Sequence, residues 1–252
     1  MTTFDELAVA YDSAIDWKSR LDREIPFLKE CIAKDRAHVL DMACGSGRHA
    51  MALARENHIV TAFDNSRSMI QIARSLADSE GITVDFVVED MLHMKIIVDE
   101  KYDLIYCLGN SLALLNDLNA LEKVFQLVHK SLQDGGTFVF QILNFEEIMA
   151  SNFRFMPPKS GKLDTGEEVI FNRFFDHRAK ENYSNLVFAS IIKRDNKWTS
   201  KITTQNVLRL DFDIVENLLT RNNFRDLIVF SDYSGDGFVQ SLHRNMIVKG
   251  RK

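Results

Sequence analysis

The residues of this chain whose types and spacing suit chemistry are three acids, each closing a short apolar run. They are Asp41 in "VLDMACGSGRHA", Asp64 in "VTAFDNS" and Asp90 in "VVEDM". The first stands four residues before a turn that carries Gly45 and Gly47. Glycine there leaves bare backbone against which a cofactor can lie. Read as G-x-G-x-x-A through Ala50, the turn suits a dinucleotide. A carboxylate near a pyrophosphate would repel it, by several kcal/mol on the order that Coulomb's law gives at intermediate dielectric. A cofactor carrying an ammonium and a sulfonium is instead attracted. Asp41 thus favours S-adenosylmethionine over NAD, the alternative being an acid that merely caps its turn.

Asp64 suits the two hydroxyls of a ribose in either cofactor. Asp90 suits the exocyclic amine of an adenine, with Met91 or Leu92 against the ring, or else caps a helix. Ala43, Cys44, Asn65, Met69, Cys107 and Leu108 flank these turns and complete the expected cofactor wall.

The elements that must position these groups follow from periodicity. From about residue 37, β-branched runs alternate with helical patterns: "GRHAMALAREN", "SRSMIQIARSLADSEG" stopped by Gly81, and "DLNALEKVFQLVHKSL" capped by Asp117. Such alternation predicts an α/β fold: a Rossmann-like, doubly wound, mostly parallel seven-stranded sheet with its ligand edge at the carboxyl ends of the strands. After Asn144 the pattern breaks, and Met156, Pro157, Pro158, Gly161 and Gly166 read as a loop. "EEVIFNRFFDH", "NYSNLVFASIIKRD" and "KWTSKITTQNVLRL" then read as three antiparallel strands. The expected organisation is an N-terminal helical lid over 1–36, a cofactor domain over 37–151 and 211–252, and an antiparallel insertion over 152–210 at the acceptor side or at a dimer contact.

The order of "VLDMACGSGRHA", "VTAFDNSRSMIQIA", "VVEDM", "YDLIYCLGNSLALL" and "LQDGGTFVFQILN" resembles the class I S-adenosylmethionine-dependent methyltransferases, across roughly Val39 to Asn144. The resemblance implies that Asp41 and residues 45–47 face the methionine end of the cofactor, Asp64 the ribose and Asp90 the adenine. Ala43 departs from it, standing where a glycine is commoner. "CLGNSLALL" is similar to the glycine N-methyltransferase group, which implies that Asn110 faces a small-molecule substrate. Leu114 departs from that group, which has a histidine there.

Methyl transfer from a sulfonium needs alignment and exclusion of water rather than a protein nucleophile. Cys44 and Cys107 therefore read equally as packing thiols. Candidates for a base or positioning group are Asn110, His177 and Tyr11, with His49 equal to His177 as a base and His93 read as a loop residue. Arg173, alternating with Val169, Phe171 and Phe175, combines a cation with apolar groups and can grip an acidic or aromatic acceptor, or lie over a sheet contact. Tyr11 and Trp17 are expected in the lid.

The chain of 252 residues is 46% hydrophobic, enough for one substantial core, and its net charge of −5 argues against nucleic acid as main partner. Three cysteines without C-x-x-C spacing imply neither a disulfide framework nor a zinc site. No membrane span or secretory leader is expected, which makes a cytoplasmic enzyme, as a monomer or a homodimer, the default. A methyltransferase for N or O of a small molecule leads; a non-catalytic nucleotide-binding module, an NAD-dependent oxidoreductase and a methyltransferase of macromolecules are the rivals.

Overall fold

The structure is a computed structural model that describes residues 12, 14–94, 101–162, 166–177 and 182–252. Its larger sheet has seven strands: β1 (His38–Met42), β2 (Ile59–Asp64), β3 (Asp85–Val88), β4 (Tyr102–Cys107), β5 (Leu132–Leu143), β10 (Arg225–Phe230) and β11 (Asn245–Arg251). Their order is β3-β2-β1-β4-β5-β11-β10. The first five run parallel, whereas β11 is antiparallel to β5 and β10 to β11. The chain leaves β1 towards one edge and crosses back to β4 for the other. The switch point of the sheet, where such folds place their ligands, thus lies between β1 and β4.

Alternation along β1 and β4 sends side chains to two separate cores. Val39, Leu104 and Tyr106 face one core, with Phe27, Leu28, Ala50, Leu53, Ile70 and Ala73. This is the layer of α1 (Trp17–Glu30), α2 (Arg48–Arg55) and α3 (Arg67–Glu80). Leu40, Met42, Ile105 and Cys107 face the other core, with Leu121, Val124, Phe125, Phe138, Phe140 and Leu218. There the cover is α4 (Leu118–Ser131), α5 (Phe145–Ala150) and α6 (Phe212–Arg221). The period of two puts Asp41 on the Val39 side, opposite Tyr106 in register.

Side chains fix the starts of the helices by satisfying amides that the helix itself leaves free. Ser66 accepts from the Met69 amide, Asp117 from that of Ala120 and Asp211 from that of Ile214. Gly81 ends α3 in the left-handed region.

The smaller sheet is antiparallel, in the order β6-β7-β8-β9: β6 (Lys159–Lys162), β7 (Glu168–Asp176), β8 (Tyr183–Arg194) and β9 (Lys197–Leu208). Asp195 and Asn196, both at positive φ, make the two-residue turn between β8 and β9. Two elements follow the break in the sequence pattern, the second of them inside the stretch read as a loop. Helix α5 follows its Asn144 cap directly, and β6 pairs with β7 despite the composition Lys-Ser-Gly-Lys. An edge strand needs only its backbone to pair, so β-propensity gave no signal there.

Candidate functional site

A cavity of about 500 Å³ opens at the carboxyl ends of β1, β2 and β4. Asp41, Ala43, Cys44, Gly45, Asp64, Asn65, Met69, Asp90, Met91 and Leu108, all named from sequence, line it.

The glycine turn is built from inside. The Cys44 amide donates to the Phe63 carbonyl at 2.9 Å, and the Gly47 amide to that of Cys44 at 3.0 Å. The Gly45 amide donates to Asp64 Oδ2 at 2.9 Å, while Asp64 Oδ1 accepts from the Ser66 amide at the same distance. These three turn amides are committed to the protein, so they are not free donors for a phosphate. Anion binding at such a turn depends on free amides. The pattern goes against the dinucleotide alternative independently of Asp41.

The two glycines differ. A Cβ on Gly45 would meet nothing within 4 Å and would project into open space at the cavity wall. A Cβ on Gly47 would come within 2.5 Å of the Phe86 ring. Gly47 does not line the cavity; its place is the close packing of the turn on β3 and α3.

Asp41 is 3% exposed, and its Oδ2 has no hydrogen-bond partner among the described residues. Burial raises its carboxyl to about 8. The nearby Asp64 charge adds to the rise, whereas Tyr106, Arg20 and the Ala50 backbone oppose it. The Tyr106 hydroxyl, though close enough to favour the carboxylate, makes no well-formed hydrogen bond. A buried, unsatisfied carboxyl oxygen at a cavity wall is costly, and a cationic ligand relieves it. The lining fits S-adenosylmethionine in charge and shape: Asp41 would answer its ammonium, and Gly45 would leave it room.

Asp64 still has lone pairs for a ribose after accepting two amides. Asp90 Oδ1 accepts from the Leu92 amide at 2.8 Å and so fixes the turn after β3. Glu89 lines the cavity beside it.

The first described residues close the near side. Trp17 Nε1 donates to the carbonyl and Oδ1 of Asp12, each at 3.1 Å, and Arg48 donates to Asp12 Oδ2 at 3.1 Å. Arg20 and Arg48 lie over the Trp17 ring at 5.4 and 5.6 Å. Arg20 Nε donates to both oxygens of Glu24, which also meets His49 Nε2 at 2.7 Å. Desolvation alone would raise the Glu24 carboxyl, yet His49 and Arg20 outweigh it and hold it below its usual value. His49 is lowered by burial, against the pull of Glu24. Trp17, Arg20 and His49 all line the cavity.

Other expected residues lie elsewhere. Cys107 is fully buried in the core and is not in the cavity lining, and burial pushes its thiol up. Asn110 is also outside the lining: it adopts a positive φ, and its Oδ1 accepts from the Leu143 amide at 2.8 Å, tying the loop after β4 to β5. Its neighbours Gly109 and Ser111 reach the cavity instead. His177 is placed for structure: Nδ1 meets Ser184 Oγ at 2.9 Å, Nε2 meets the Phe153 carbonyl at 2.8 Å, and the ring stacks on Phe175. Arg173 stands on β7, outside the lining. Tyr11 lies outside the described residues.

The sequence reading missed Arg20, Phe63, Asn116 and Gln205, which also line the cavity, as does Ser46 within the expected turn. An Arg-Glu pair four apart on α1 was the one signal available for Arg20. Gln205 arrives on β9, far along the chain from the ends of β1, β2 and β4, and nothing local marked it.

Residues 39–136 match the family model described as a methyltransferase domain. A ubiquinone biosynthesis O-methyltransferase of Coxiella burnetii is 26% identical over 152 residues, which are 56% of this chain and 62% of that protein. A glycine/sarcosine N-methyltransferase of Halorhodospira halochloris is 27% identical over 140 residues, or 55% of this chain and 52% of that one. The chain thus spans between about half and three-fifths of the length of these curated relatives. A solved S-adenosylmethionine-dependent methyltransferase from Clostridium acetobutylicum superposes with a TM-score of 0.76 over 99% of each chain, at 19% identity. On these findings, residues 39–136 are similar to the methyltransferase-domain family, and the chain as a whole shares the fold of that solved S-adenosylmethionine-dependent methyltransferase.

Proposed function

We propose that this protein transfers the methyl group of S-adenosylmethionine to a nitrogen or oxygen of a small molecule. The observation that carries the reading is Asp41: a buried carboxyl with a spare oxygen on the wall of a 500 Å³ cavity, beside a glycine turn whose amides are largely occupied. The family match at residues 39–136 and the small-molecule O- and N-methyltransferases among the relatives support it.

Asp41 and the Gly45 turn would hold the amino-acid end of the cofactor, Asp64 the ribose and Asp90 with Met91 the adenine. Bound there, the cofactor supplies an already activated methyl group. The chain then has to align the acceptor and keep water out, which is where such a site gains its rate. In this reading residues 37–151 and 211–252 hold the cofactor, 152–210 stand over the acceptor, and 1–36 close the near side. The net charge of −5 supports a small acceptor over nucleic acid. Three buried free cysteines support a reducing, cytoplasmic setting. Exposed Phe155, Trp198 and Ile202 on the small sheet support a contact between two copies.

The test is a transfer assay with methyl-labelled cofactor against a panel of small amines and phenols. Label in an acceptor, lost in Asp41→Ala, is the expected result. A wild-type protein that binds the cofactor and labels no member of the panel would favour the binding-module reading.

A further inference from the structure

The small sheet presents one face to the cavity, and the register shows which residues stand on it. Residues directly opposite in an antiparallel pair share a face. Arg173 faces Phe188, which faces Thr203; the next row is Phe175, Leu186 and Gln205. Gln205 lines the cavity, so this face meets the site at the end of that row. On β6, Lys159 stands opposite Phe171, placing it on the same face and diagonal to Arg173. Val169, Phe171, Phe175, Leu186 and Phe188 make the rest of this face largely apolar and buried.

Two cations on such a face call for an anion. The Lys159 ammonium and the Arg173 guanidinium make no hydrogen bond or ion pair among the described residues. Burial lowers the Lys159 ammonium, and the positive charges of Arg173 and Arg20 lower it further, with Asp16 the one opposing charge. Of these three cations, Arg20 lines the cavity, and the other two stand on the sheet face beside it. A guanidinium offers a planar fork that fits carboxylate and phosphate oxygens, and an ammonium beside it adds a point charge.

We propose that Lys159 and Arg173 form an anion subsite that seats the carboxylate or phosphate group of the methyl acceptor. The subsite rests on the methyltransferase reading of the cavity and names the substrate class: a small amine or hydroxyl compound that bears an acid group.

The test titrates inorganic phosphate and acetate, at constant ionic strength in chloride, into protein saturated with S-adenosylhomocysteine, following the melting temperature. The expected result is a saturable rise with at least one anion. In Lys159→Gln and Arg173→Gln its half-saturation should move at least tenfold, and Arg173→Lys should retain most of it. Phosphate alone would assign a phosphorylated acceptor, and acetate alone a carboxylate. No saturable response in the wild-type protein, or an equal response in the charge-removed variants, would overturn the subsite. If Gln variants lose their fold, Lys159→Ala and the Arg173→Lys comparison decide by the same readout. Failure of the wild-type protein to bind S-adenosylhomocysteine would instead count against the reading on which the subsite rests, and the same anion titration without it would still decide the subsite.

Discussion

At the scale of single residues, Asp41 shows how alternation along a strand becomes chemistry. One position further on, its side chain would lie in the opposite core; as placed, it meets Tyr106 and the cavity. Its carboxyl is raised from 3.8 to about 8, mainly by burial. A group whose folded value lies above its unfolded value contributes stability that is complete below about pH 4 and is lost as the pH rises through about 8. The cofactor-free protein should therefore melt at progressively lower temperature between pH 5 and pH 8. Asp41→Asn, which keeps the shape and cannot ionise, should flatten that slope, measured by thermal melts across the range. Equal slopes in the two proteins would mean that Asp41 does not titrate there. Asp41, Asp64 and Asp90 were legible in the sequence because each acid ends an apolar run. The departure at Ala43 also has a structural meaning: its φ is +56°, a region glycine enters without cost and alanine enters at about 1 kcal/mol. His177 was misleading as a candidate, since histidine spacing says nothing about whether both ring nitrogens are already bonded.

At the scale of elements, the strand–turn–helix from His38 to Arg55 divides its two glycines between two tasks. Gly47→Ala places a methyl group against Phe86 at a positive φ, so overpacking and strain add. Typical costs are about 1–3 kcal/mol for the first and about 1 kcal/mol for the second. Gly45→Ala carries the strain alone, because its Cβ meets no protein atom within 4 Å. Denaturant unfolding should show Gly47→Ala as the less stable variant, whereas calorimetry should show Gly45→Ala as the one whose cofactor affinity falls by tenfold or more relative to its stability. The opposite pairing would mean that the turn faces the other way. Parallel strands and long capped helices were readable from period and caps such as Asp117. Helix α5 and strand β6 were not, since six and four residues are too few to establish a period.

At the scale of the molecule, the fold brings the ends of β1, β2 and β4 to one cavity and then sets a separate antiparallel sheet beside it, with Gln205 reaching in. Sequence order could suggest that sheet but not which of its faces turns inward, because that depends on docking with the loop after β4. The Tyr183 hydroxyl, which donates to the Asn116 carbonyl at 2.6 Å, is part of that contact. The central claim is that the cavity is shaped for a sulfonium cofactor and not for a dinucleotide. The most direct measurement is calorimetric titration of the purified protein, in parallel, with S-adenosylmethionine, S-adenosylhomocysteine and NADH. Saturable binding of the first two at about micromolar concentration, with no heat from NADH, is the predicted result. Binding of NADH with silence from the other two would contradict the account.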